Sequence, residues 1–238
     1  MHKIILFILF GLSTACTVSP EKNTKELPNL EYAGDLLVFS EVMDQREEEM
    51  VRMLVTKNYL RIDSGPNAED YILFDRNKKL IFNVIAEEKS IMQIDTEKFD
   101  RSPAYKIRWN VESQTSSALM RSDDNGAASA TYYHLKLNDK SCYNIVTVDK
   151  GMEEPLAALK EYRESLSHQL KRYYRPDKGQ ECFEAVNIFT PLHHLHKGFP
   201  IREWSAYGYQ RFLVDYKKKI IFPKSLFELP IDFIKSKI

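Results

Sequence analysis

The chain has 238 residues, 43% of them hydrophobic, and its 34 lysines and arginines balance 34 aspartates and glutamates to a formal charge of zero. A chain with no basic excess lacks the electrostatic footprint of a nucleic-acid binder, so no nucleic-acid partner is expected. Setting aside its N-terminal stretch leaves about 200 residues, enough for one sizeable core.

Met1-His2-Lys3 supplies one firm positive charge, and Ile4 to Leu12 is apolar. That run is too short to cross a bilayer, which takes roughly 20 residues. A charged start, a short apolar core and small residues predict a secretory signal peptide over 1–15. Ser13, Thr14 and Ala15 are followed at once by Cys16. This arrangement resembles the lipobox of bacterial lipoproteins, with Ser13 where that family usually has leucine. The resemblance implies that Cys16 is acylated and becomes the new N-terminus. Thr17, in place of an aspartate, points to the outer membrane. Residues 16–30 then read as the lipidated cysteine and a polar, proline-containing tether. A single domain is expected over 31–238.

From Leu36 to Asp95 short alternating runs are separated by turn signals: Leu36–Met43, Val51–Val55, Tyr59–Asp63, Tyr71–Phe74, Leu80–Ile85 and Ile91–Ile94. Strands at this spacing predict an antiparallel meander. Tyr105–Val111 extends the series, and the polar stretch SQTSSALMRSDDNGAASA predicts a loop. Asp123-Asp124-Asn125-Gly126 lacks the spacing of a calcium loop and reads as a turn. Tyr132–Leu137 and Tyr143–Val148 form a hairpin around Asn138-Asp139-Lys140.

At Met152 the period becomes helical. Glu153 and Glu154 suit a helix start, and Leu156, Leu159, Leu166, Leu170 and Tyr173 share a face. Pro176 and Gly179 end this helix, a second runs from Gln180 to Phe189, and a third turn covers Leu192 to Lys197. The helical segment thus spans about 153–197. Strands return at Arg202–Tyr207 and Phe212–Ile221, and Lys217-Lys218-Lys219 reads as a solvated edge.

The sites follow from the same residues. With Cys16 set aside, Cys142 and Cys182 are an even pair in an oxidising compartment and are expected to form a disulfide; two reduced, buried cysteines are the alternative. His193 and His196 stand one helical turn apart, but no acidic partner lies at useful spacing, so no metal and no cofactor are expected. No Gly-x-Ser-x-Gly, His-Glu-x-x-His or Gly-x-x-x-x-Gly-Lys occurs, and no catalytic residue is singled out, so an enzyme is not expected. Phe74, Phe82, Tyr133, Tyr143, Trp204 and Phe212 lie in or beside strands; they either fill a core or line a pocket for acyl chains.

Three stretches resemble the family of half-barrel lipoprotein carriers and receptors typified by LolA and LolB, and their uncharacterised exported relatives. They are YLRID (Tyr59–Asp63) with IMQID (Ile91–Asp95), NDKSCYNIVTV (Asn138–Val148), and FPIREWSAYG (Phe199–Gly208) with SLFELPIDF (Ser225–Phe233). The resemblance implies an α+β fold: a curved antiparallel sheet, the half-barrel, covered on its concave side by two or three helices. It also implies a hydrophobic ligand. The expected function is an outer-membrane-anchored periplasmic lipoprotein that binds or hands over an acyl-chain ligand. The alternatives are a non-catalytic envelope interaction module with a filled core, and a periplasmic metal binder or enzyme. The expected partners are the membrane, through the N-terminal lipid, and a lipid or an envelope protein.

Overall fold

The computed structural model describes residues 31–43, 46–120 and 128–238. The signal segment, Cys16, the tether and the Asp123–Gly126 turn lie outside the described residues. Six strands come first: β1 (Glu31–Met43), β2 (Glu49–Thr56), β3 (Tyr59–Asp63), β4 (Tyr71–Asp75), β5 (Leu80–Ile85) and β6 (Ser90–Ile94). Each pairs antiparallel with the one before it, as the alternation predicts. Then come β7 (Trp109–Met120), β8 (Ala128–Leu137) and β9 (Lys140–Val148), followed by the helix α1 (Glu153–Tyr173). A single-turn helix α2 (Glu181–Glu184) continues into a π turn (Ala185–Phe189), and a 3-10 turn covers His194–Lys197. β10 (Phe199–Ser205), β11 (Tyr209–Pro223), a 3-10 turn at Lys224–Phe227 and β12 (Ile234–Lys237) complete the chain.

Among the described residues all twelve strands join one sheet, in the order β12-β6-β5-β4-β3-β2-β1-β11-β10-β9-β8-β7. This overturns the expected antiparallel half-barrel under two or three helices. The sheet is open, with β12 and β7 at its edges, and it is mixed, because β12 pairs parallel with β6. The helical cover is one 21-residue helix with the four-residue α2 beside it. The physical reason lies at 180–198, where Thr190, Pro191 and Gly198 break the chain into single turns. The 113–130 stretch also departs from the expected loop: β7 and β8 carry strand pairing as far as Met120 and Ala128. Serine and threonine need only backbone partners to extend a hairpin already set in register.

The sheet is packed on both faces. One face meets α1: Leu37, Phe39, Met53, Val55, Leu60, Phe74 and Ile81 bury against Ala158, Leu159 and Tyr162. Helix α1 is placed by its apolar stripe and by charge, with Glu153 and Glu154 in its first turn and Lys171 and Arg172 in its last. Arg76, in the β4–β5 turn, fastens it. Its Nη2 and Nε donate to Glu161 at 3.0 and 3.1 Å, its Nη1 donates to the Thr56 carbonyl at 2.7 Å, and Glu154 also accepts from it. Tyr174 leaves the helical conformation, and Pro176 follows.

The opposite face is covered over β2–β6 and over the adjoining ends of β1 and β11, where the segment after β11 folds back. Leu54, Leu73, Phe82, Val84 and Ile91 pack there against Phe222, Phe227, Leu229 and Phe233. Buried Asp63 holds Arg52 and Arg61, both at 2.7 Å, and Arg61 ties this segment down by donating onward to the Leu226 carbonyl at 2.8 Å. A third cluster, built on Leu135, Tyr143, Ile145 and Tyr209, lies under Ala185 and Val186. The Cys142 and Cys182 sulfurs stand at disulfide distance, 2.03 Å, joining β9 to α2.

Candidate functional site

Alternation along β1, β11, β10, β9 and β8 decides which side chains meet the helix and which meet solvent. Glu203, Arg211 and Leu213 point inward, so Arg202, Trp204 and Phe212 point outward. Cross-strand register aligns the outward positions in a row: Met50, Ser40, Phe212, Arg202, Val146 and Tyr132, with Ser40 itself buried. Trp204 stacks on Tyr132, with ring centroids 5.8 Å apart and planes 11° off parallel. The Arg202 guanidinium lies 5.2 Å over the Trp204 ring. Tyr132 donates from its hydroxyl to Asn144 Oδ1 at 2.7 Å, which fixes the pair across β8, β9 and β10. A bulge between Val38 and Phe39 sets Val214 out of register and leaves it exposed. Met50, Phe212 and Val214 are 42%, 43% and 53% exposed.

An antiparallel sheet with one wet face normally shows polar side chains there. Here Val38, Val42, Met50, Val146, Trp204, Phe212 and Val214 share the face that the C-terminal segment leaves uncovered. Apolar side chains exposed on such a face make it the candidate interaction surface.

The same strands are pinned from beneath by charge. Arg211 on β11 is the register partner of Glu41 on β1 and of Glu203 on β10. Its Nη2 lies 2.6 Å from Glu203 and its Nη1 3.6 Å from Glu41. The Glu203 contact is close but poorly aligned, so it acts as an ion pair, and neither Glu203 oxygen has a well-aligned hydrogen-bond donor. His194 Nε2 comes within 3.8 Å of the same carboxylate. Burial pushes the Glu203 carboxyl up, but Arg211, His194 and Arg163 outweigh it and hold the group below the usual carboxylate range. Burial, reinforced by Arg163, Arg211 and His193, drives the His194 imidazole down to about 3, against the opposing pull of Glu203. With Glu203 1% exposed and His194 2%, this cluster is sealed from substrate and works as a clamp on the strands above it.

The residues singled out in the sequence do not gather at one place. Phe74 packs under α1, Phe82 on the opposite face, and Tyr143 and Tyr133 in or against the third cluster. Trp204 and Phe212 reach the uncovered face. None of the six lines either of two surface clefts. One, of about 630 Å³, lies beside the C-terminal segment at Arg61, Tyr71, Lys89, Glu228 and Phe233. The other, of about 370 Å³, lies between α1 and the 189–196 turn. His193 and His196 both line the second, yet among the described residues no three His, Cys, Asp or Glu side chains group to hold a metal ion. Lys217, Lys218 and Lys219 are exposed on β11, beyond its register with β10.

Sequence reasoning missed Met50, Arg202 and Val214. The available signal was the unbroken run Phe212-Leu213-Val214, apolar on both faces of a strand that only one helix can cover. No family model matches the chain, and no curated protein matches it. Two solved structures of PNGF-II, in the C2 and P21 space groups, align with TM-scores of 0.40 and 0.41 at 8% and 6% identity. The alignments cover 87% of this chain but only 31% and 32% of theirs, so the chain spans about a third of the length of the proteins it aligns with, and likeness at that level assigns nothing.

Proposed function

We propose that the protein is a lipid-tethered, non-catalytic module of the bacterial cell envelope that docks an envelope protein on the uncovered face of β1, β11, β10, β9 and β8. The observation that carries this reading is the apolar, solvent-facing set around Phe212, Val214, Met50 and the Trp204–Tyr132 stack. The lipobox-like start and the cysteine pair at bonding distance fit an exported, anchored protein. The dispersal of the six aromatic residues over separate packing regions favours this reading over acyl-chain transfer.

The test is site-specific photo-crosslinking in cells, with the photoreactive residue at position 212 and, as a control, at exposed Tyr173 on α1. A discrete adduct from position 212 that disappears when Val214→Glu is added, while the melting temperature holds, supports docking. Equal adducts from both positions would sink it. Native mass spectrometry without delipidation separates the acyl-carrier alternative: a co-purifying lipid displaced by added fatty acid would favour that one instead.

A further inference from the structure

The cleft between α1 and the 189–196 turn is independent of the docking face. Its α1 wall is Glu164, Ser167, His168 and Lys171, one helical stripe at i, i+3, i+4 and i+7. Phe189, Pro191 and Leu192 form an apolar part of the opposite wall, with His193 and His196 beside them. A space of about 370 Å³ is within the range that holds small molecules.

The polar groups here divide into those already engaged and those left open. The Ser167 hydroxyl donates to the Glu164 carbonyl at 2.7 Å, and Thr190 donates to the Ala185 carbonyl at 2.7 Å. His168 Nδ1 lies 3.0 Å from the Thr96 carbonyl, which can only accept, so that nitrogen carries the proton and Nε2 is the atom left over. His193 is stacked on Trp109 at 4.9 Å and 12°, and its Nε2 is a buried atom with no hydrogen-bond partner. Among the described residues Lys171 has no salt-bridge partner. A buried ring nitrogen without a partner, lining the same cleft as an ammonium without a salt-bridge partner, asks for a ligand group.

The field at His193 gives that group its sign. Burial, then Lys197 and His196, hold its imidazole below the usual histidine range. The positive neighbours therefore oppose a further positive charge and welcome a negative one. The carboxylate that lines the cleft, Glu164, stands two turns from Lys171, about 10 Å along the helix at 1.5 Å per residue.

We propose that this cleft binds the oxyanion end of a small molecule, a carboxylate or a phosphate, between Lys171 and the His193 imidazole, with His168 donating from Nε2 when its ring is protonated. Lys171 supplies the charge and His193 the buried donor. The ligand's apolar part lies along Phe189 and Leu192. Because an anion stabilises protonated His193, binding and protonation are linked: affinity rises as pH falls, and bound anion raises the titration midpoint of His193. The other titratable groups of the cleft, Glu164, His168, Lys171, His196 and the nearby Lys197, are read in the same titration.

The experiment follows the histidine ring resonances of the purified protein by NMR, assigned with single His→Gln variants. Inorganic phosphate and, separately, acetate are titrated in at constant ionic strength. The expected result is saturable movement of His193 and His168 with a Kd on the order of 1 mM, together with a higher midpoint for His193. The stronger of the two probes indicates whether the natural group is a phosphate or a carboxylate. Lys171→Met, and Lys171→Gln as a second variant, should each weaken binding about tenfold with an unchanged melting temperature. Non-saturable shifts with both probes, an unmoved His193 midpoint, or full affinity in a folded Lys171 variant would each overturn the proposal.

Discussion

At the scale of single residues, the cluster under the uncovered face ties stability to pH. His194 is neutral when folded, with a midpoint of about 3 against an ordinary 6.5, so between those values the unfolded chain binds a proton that the folded one refuses. Stability therefore falls as pH falls through that window, by about 1.4 kcal/mol per pH unit at its steepest. Urea unfolding at about pH 7 and pH 5 should show a loss of about 2 kcal/mol that His194→Gln removes. Glu203 acts further toward acid: its folded midpoint is lowered, so its contribution is present above the usual carboxylate range and is lost as pH falls through the folded value. At neutral pH, Glu203→Gln should cost about 3 kcal/mol, because Arg211 and Arg163 then lose their buried countercharge. A chemical-denaturation midpoint equal to that of the parent protein would refute this. None of this cluster was legible in the sequence. Glu203 and Arg211 meet only through the β10–β11 register, and Glu41 joins them from the other end of the chain. The cysteine pair was legible by parity, once Cys16 is set aside. The two are 40 positions apart, and Cys142→Ser with Cys182→Ser should lower stability by about 4 kcal/mol, measured against the oxidised parent.

Elements were readable where a hydrophobic period persisted. β2 to β6 lie where alternation placed them, and α1 where the helical stripe placed it. What escaped was how the pieces too short to have a period pair. Ile234–Lys237 alternates nothing, every residue of it is exposed, and it joins the sheet through backbone bonds such as Ile234 N–H to the Lys89 carbonyl at 2.8 Å. The stretch before it matters more. Phe227, Leu229 and Phe233 shield Leu54, Leu73 and Phe82, while Tyr71 donates to the Glu228 carbonyl at 2.9 Å. Two truncations separate these roles. Ending the chain after Phe233 should cost about 1 kcal/mol, the scale of a few exposed backbone bonds. Ending it after Pro223 uncovers a core face whose large side chains each contribute about 2 kcal/mol, and should yield aggregated protein. Equal melting temperatures for the two truncations would show that the fold-back segment is ornamental. The candidate site was half legible for a related reason. Trp204 and Phe212 stood out as strand aromatics, but which face stays bare depends on where α1 and the fold-back segment end.

For the whole molecule, the uncovered face is the surface left when one helix and one C-terminal segment must cover a twelve-stranded sheet. Phe212→Glu should leave folding within about 0.5 kcal/mol of the parent, as expected for a surface change, while abolishing the partner adduct. A large fall in melting temperature would instead mark Phe212 as core. The strand order also has a consequence in time. β1 and β11 form the central seam, so Ser40 has to wait for Phe212 before its second edge is satisfied. A chain delivered N-terminus first, from a ribosome or through a translocation pore, exposes that edge throughout the emergence of everything between them. Pairing so distant in sequence is slow to form, and an open strand edge recruits strangers. A chain stalled before residue 209 is therefore a seed for misassembly. Closure comes late, when β11 arrives.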